Sequence, residues 1–175
     1  MTVLAMRVGG PTQSETPPVP VRTMPDISQM SPEERANRLF NRVMILAEAG
    51  KDDSVQFFLP MAVGAYSQLP ALDVDARYHI GLLLLAGRQP AAALAQADTI
   101  RRAVPTHLFA SVLRAHAYQA QGNREGERRA YADFLRNEAP ERARNRPEYT
   151  DHADALTAFH AEAARQAAAG ARSGS

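Results

Sequence analysis

Residues 77–105 read RYHIGLLLLAGRQPAAALAQADTIRRAVP, and the fold turns on this stretch. Arg77 to Leu85 is a largely apolar run with no period-two alternation, which marks a helix and not a strand. Gly87 ends it, and Pro90 supplies the fixed φ and the dispensable amide of a helix's first turn. Ala91 to Ala103 then forms a second helix that stops before Pro105. Its small face at Ala92, Ala93 and Ala97 lets a neighbouring helix approach closely. The stretch is a helical hairpin.

The same punctuation recurs on both sides. Upstream, Ser31-Pro32-Glu33-Glu34 combines a hydroxyl N-cap, a first-turn proline and a capping-box glutamate. A helix follows with Leu39, Phe40, Val43, Met44, Leu46 and Ala47 at helical spacing, ending at Gly50. Asp52 or Asp53 caps a second helix through Val55, Phe58, Leu59, Ala62, Val63 and Tyr66, in which Pro60 is expected to produce a kink near Phe57. Asp73 or Asp75 opens the helix quoted above. Downstream, helices are expected over 106–121 and 123–138, divided at Gly122-Asn123, and a last one over 147–168. Seven helices result, paired as 32–49 with 53–69, 74–86 with 90–103, and 106–121 with 123–138, with 147–168 as a cap.

The inter-helix glycines Gly50, Gly87 and Gly122 lie 37 and 35 residues apart. A helix-turn-helix unit repeating every ~34 residues resembles the tetratricopeptide repeat (TPR) family. Ile80-Gly81, Ala92-Ala93 and Pro105 match the family pattern in the second unit, and Tyr118, Gly122-Asn123, Tyr131 and Phe134-Leu135 match it in the third. The resemblance covers about 31–168 and is to a bacterial member with about three repeats and a capping helix. It implies an all-α, right-handed α-solenoid of stacked antiparallel pairs, with Gly81 packed beside Ala93 or Ala97. It also implies a concave groove lined by the first helix of each pair: Asn37, Phe40 and Met44, then Tyr78 and Leu82, then Val112, His116 and Gln119. Phe40 and Tyr78 should be partly open. The groove is apolar and lacks a clamp of lysines and arginines, so a peptide or helix from another protein is the expected occupant.

Composition narrows the function classes. The 175 residues carry a formal charge of +1, contain no cysteine, and are 45% apolar. Disulfides, thiolate metal sites and thiol nucleophiles are therefore excluded. No apolar run reaches the ~18–20 residues of a membrane span, and Met1 to Gly10 lacks the apolar centre of a signal peptide, so a cytoplasmic protein without direct membrane insertion is expected. Residues 1–30 hold Pro11, Pro17, Pro18, Pro20 and Pro25 and are read as an extended arm; 169–175 are read as a disordered tail.

No catalytic constellation stands out. His79, His107, His116, His152 and His160 form no i,i+4 histidine pair and no His-Glu-x-x-His motif, so neither metal nor cofactor is assigned. The carboxylate pairs Glu33–Glu34, Asp52–Asp53 and Asp73–Asp75 all sit at helix starts, where capping and the helix dipole account for them. Between 124 and 146, seven arginines face five carboxylates. That balance argues against nucleic acid, and leaves Arg142, Arg144 and Arg146 as a candidate basic patch. The expected function is a non-catalytic interaction module that binds a protein or peptide. The alternative is a small structural subunit of a multi-subunit complex, including a membrane-attached one, anchored by its N-terminal arm.

Overall fold

The computed structural model describes residues 30–173, so the proline-rich arm expected over 1–30 lies, Met30 apart, outside the described residues. Eight helices follow one another: α1 (Pro32–Glu48), α2 (Asp52–Ser67), α3 (Val74–Ala86), α4 (Pro90–Ala103), α5 (Leu108–Ala120), α6 (Arg124–Arg142), α7 (Pro147–Asp151) and α8 (Ala153–Ser173). The described residues contain no strand. The capping box at Ser31 forms as its sequence dictates, with Glu34 N donating to Ser31 Oγ at 3.1 Å and Ser31 N donating to Glu34 Oε2 at 2.8 Å. Helix α2 continues through Pro60, whose missing N–H leaves the Gln56 carbonyl without its usual helical partner.

Three turns repeat the same backbone. Gly50, Arg88 and Gly122 adopt φ of +64°, +59° and +69°. Behind each, the next amide reaches back across the turn: Lys51 N to Leu46 O at 2.9 Å, Gln89 N to Leu84 O at 2.8 Å, and Asn123 N to Tyr118 O at 2.9 Å. These are Schellman closures, which satisfy the last carbonyls of α1, α3 and α5. The left-handed residue of the middle turn is Arg88, one position after the glycine expected to serve there. Gly87 answers a packing demand instead: a Cβ on it would stand 2.3 Å from Leu59 Cδ2.

Helix α1 packs on α2, α3 on α4, and α5 on α6; α3 also touches α1 and α5, so the pairs stack side by side. This is an α-solenoid-like arrangement of helical hairpins. Gly81 packs at a crowded contact whose nearest atoms belong to Leu113. A Cβ there would meet Leu113 Cδ1 at 2.5 Å, so the glycine admits α5 of the next pair. The core runs in two clusters, one through α1–α5 around Val43, Leu59, Tyr66 and Leu83, the other through α3–α8 around Phe109, Leu113, Phe134 and Leu156. Each such fully buried side chain contributes about 1.5–3 kcal/mol relative to exposure.

The C-terminal cap departs from the single helix expected over 147–168. The chain breaks at His152 (φ −111°, ψ 24°), dividing it into α7 and α8. Helix α8 then continues to Ser173, through most of the stretch read as a disordered tail. It packs on α6 through the buried Leu156, Phe159 and Ala163.

Candidate functional site

The break at His152 directs its ring toward α3, where Asp75 and His79 stand one turn apart. His152 Nε2 lies 2.9 Å from Asp75 Oδ1, and His79 Nδ1 lies 3.8 Å from Asp75 Oδ2. One ligand-capable atom from each of the three residues falls within 4.8 Å of the other two. Asp75 is free for this because Asp73 takes the N-cap: its Oδ1 accepts from Ala76 N at 2.8 Å. The capping role assigned to both carboxylates belongs to one of them.

Both imidazoles are held by their surroundings. The Tyr66 hydroxyl is 2.9 Å from His79 Nδ1 and donates to Asn37 Oδ1 at 2.9 Å, while the Phe40 ring lies 4.3 Å from the His79 ring. His152 sits edge-on to Tyr78 and Phe109, each 5.2 Å away between ring centres. Burial pushes the His79 imidazole below its ordinary pKa, only partly opposed by the Asp75 charge, so the ring is neutral at neutral pH. Burial alone would raise the Asp75 carboxyl, but the His152 hydrogen bond and the neighbouring imidazoles outweigh it and hold it below the usual range. Burial, and then the Asp75 charge, push the Tyr66 and Tyr78 phenols well above theirs.

The residues expected to line a groove divide between open and covered positions. Asn37 is exposed, and Phe40, Met44, Leu82 and His116 are half-buried. Tyr78 is not partly open: it is 3% exposed and stacks on Phe109 with ring centres 4.0 Å apart. Val112 is 2% exposed in the same cluster as Leu156 and Phe159. His116 packs edge-on against Phe159 of α8 at 5.4 Å. The chain's own C-terminal segment therefore covers much of the face that the second and third pairs were expected to present. Gln119 is exposed and lines a shallow cleft of about 680 Å³ with Arg124, Arg128 and Gln166.

The candidate basic patch is internally neutralised. Arg142 Nε pairs with Glu138 Oε1 at 2.9 Å, while Arg144 Nε and Arg146 Nε reach Glu141 at 3.0 and 3.1 Å. Glu141 is 1% exposed and also accepts from Thr106 Oγ1 at 2.6 Å and Tyr149 Oη at 2.9 Å. Its carboxyl stays ionised because these hydrogen bonds and Arg146 outweigh the cost of burial. Arg146, at the start of α7, and Tyr149 within it tie α7 to α6 through that one carboxylate.

One surface feature escaped the groove reading. Ile45, Phe57 and Met61 are 63%, 68% and 42% exposed, and no other large apolar side chain among the described residues is exposed. All three belong to the first helix pair. Phe57 and Met61 are four residues apart on α2, on the face opposite its core residues Val55, Leu59 and Ala62. No helix of the described chain is long and apolar enough to cross a membrane.

No protein-family model, curated protein or solved structure matches the chain. The stacked hairpins thus define the architecture by themselves, and the function is argued from this chain's own surfaces.

Proposed function

We propose that this chain is a non-catalytic, TPR-like interaction module that takes an apolar helix or peptide of another protein on its first helix pair. The observation that carries the reading is the Phe57–Met61 face of α2, where two large apolar side chains stand in solvent at helical spacing. Such anchors typically dominate protein interfaces. The half-buried Phe40 and Met44 and the exposed Asn37 of α1 supply the part of the expected groove that α8 leaves open. The carboxylates and arginines near α7 are committed to one another, so an apolar occupant suits the chain better than an acidic one.

The test uses the full chain as bait against extracts of its own cell, comparing wild type with Phe57→Ser/Met61→Ser. Both residues are exposed, so far-UV CD and melting should stay unchanged. Partner capture should fall by about thirtyfold, which corresponds to losing ~2 kcal/mol of anchor energy. A partner retained equally by both proteins would refute the use of this face.

A further inference from the structure

We propose that Asp75, His79 and His152 form a binding site for a first-row divalent transition-metal ion of the Zn²⁺ class, which fastens the α7–α8 junction to α3. The site is separate from the apolar face of α2. Two imidazoles and one carboxylate, from segments more than seventy positions apart in sequence, converge so that their ligand atoms lie within 4.8 Å of one another. A tetrahedral ion with bonds of ~2.0–2.2 Å holds its ligand atoms roughly 3.3–3.5 Å apart. The His152–Asp75 pair, at 2.9 Å, is already inside that spacing, and the His79–Asp75 pair, at 3.8 Å, closes by a small rotation of the carboxylate. With its side chain 36% exposed, Asp75 has room for that rotation and gives an ion and its waters a route in.

The donor set selects the ion. Two nitrogen ligands disfavour Ca²⁺ and Mg²⁺, which demand oxygen cages, and the chain has no thiolate to draw softer ions. Three protein ligands leave a position for water. The rings are also held before any ion arrives. Phe40 packs against the His79 ring and Tyr78 and Phe109 hold His152 edge-on, while the ion takes the place of the Tyr66 hydroxyl at His79 Nδ1. The kink at His152 has no glycine or proline to cause it, and it brings the imidazole to Asp75.

The test is titration of the untagged full chain with ZnCl₂ by calorimetry, and with CoCl₂ followed by visible absorption. One ion per chain is expected, with the ligand-field bands of low-coordinate Co²⁺. Asp75→Asn and His152→Gln should each weaken Zn²⁺ binding at least tenfold and abolish those bands, while His160→Gln, at an exposed histidine paired with Glu138 on α6, should leave both unchanged. Imidazole ¹⁵N resonances of the wild-type chain give a readout independent of any variant: Zn²⁺ should shift His79 and His152 and spare His107. The proposal is overturned if the wild type binds no Zn²⁺. It is equally overturned if the two site variants bind as tightly as wild type, or if other imidazoles shift in place of His79 and His152. The cluster would then be a hydrogen-bonded ion pair and nothing more.

Discussion

Replacing Gly81 with alanine tests the stacking of hairpins more directly than any surface change. A Cβ at this position would lie 2.5 and 2.7 Å from the two Leu113 methyls and 3.2 Å from its Cγ. Leu113 is fully buried, so its methyls have no solvent to move into. Overpacking of this kind costs about 1–3 kcal/mol, while the change from glycine to alanine inside a helix returns up to ~1 kcal/mol of propensity. A net loss of about 1–2 kcal/mol is expected, or roughly 3–6 °C in Tm for a domain of this size. The decisive measurement is a double-mutant cycle by urea denaturation. Leu113→Ala alone should cost about 2–5 kcal/mol. In that background the clash has gone, and Gly81→Ala should become neutral or stabilising by up to ~1 kcal/mol. The expected coupling is therefore about 1–3 kcal/mol. If Gly81→Ala has the same effect in both backgrounds, within ~0.5 kcal/mol, α3 and α5 do not meet here and the stacking of the second pair on the third is wrong.

The turns and the buried titratable groups yield two further predictions. Gly122→Ala should cost about 1–2 kcal/mol, because its φ of +69° is unfavourable for any residue with a Cβ, whereas Arg88→Gly should stabilise the chain by about 0.5 kcal/mol by relieving the same conformation at φ +59°. Chemical denaturation of both variants checks the pair, and a destabilised Arg88→Gly would show that the side chain matters more than the turn. Stability should also fall with acid in two stages. Burial holds the His107 imidazole below its ordinary value of 6.5, with Glu148 only partly opposing, so the unfolded chain binds the extra proton first and stability declines as pH drops below about 6.5. Glu141, whose carboxyl is held below its ordinary 4.5, contributes stability that is present above that value and is lost as pH falls through its lower native one. Unfolding free energies from pH 8 to about 3 should be flat at first and then fall, and a maximum below pH 6 would contradict the sign for His107.

What could be read from the sequence was local, and what could not was contact between distant segments. Ser31-Pro32 and Pro90 carry the signals of a helix start, and Gly50 and Gly122 those of an end, so the hairpins are legible residue by residue. The period also identified the apolar faces of α3 and α5, but no period says what covers a face. The resemblance implies an open groove at Tyr78 and Val112, a face that the α7–α8 segment helps to fill. Nothing in Asp151-His152-Ala153 breaks a helix by propensity, and the contacts His152 makes at the break, to Asp75 and Tyr78, lie far away in sequence. For Asp75 the misleading signal was its position in a first turn, where a carboxylate needs no other explanation. Its i,i+4 spacing to His79 was the only sequence hint that both residues share a face.

Helix α3 is where these contacts accumulate. Gly81 admits Leu113 of α5, Gly87 admits Leu59 of α2, and Asp75 receives His152, so α2, α5 and the α7–α8 junction all bear on thirteen residues. One contact runs back to the open face of α1: Asn37 accepts from Tyr66, Tyr66 bonds His79, and the Phe40 ring lies against the same imidazole. Asn37 and Phe40, which belong to the groove proposed for a partner, also support His79. An occupant that turned either side chain would shift the imidazole relative to Asp75. A ligand that fixed His79 and His152 against Asp75 would in turn favour the present placement of Phe40. By linkage the two effects must be equal in free energy, so any influence of the site on the first pair is measurable from either end.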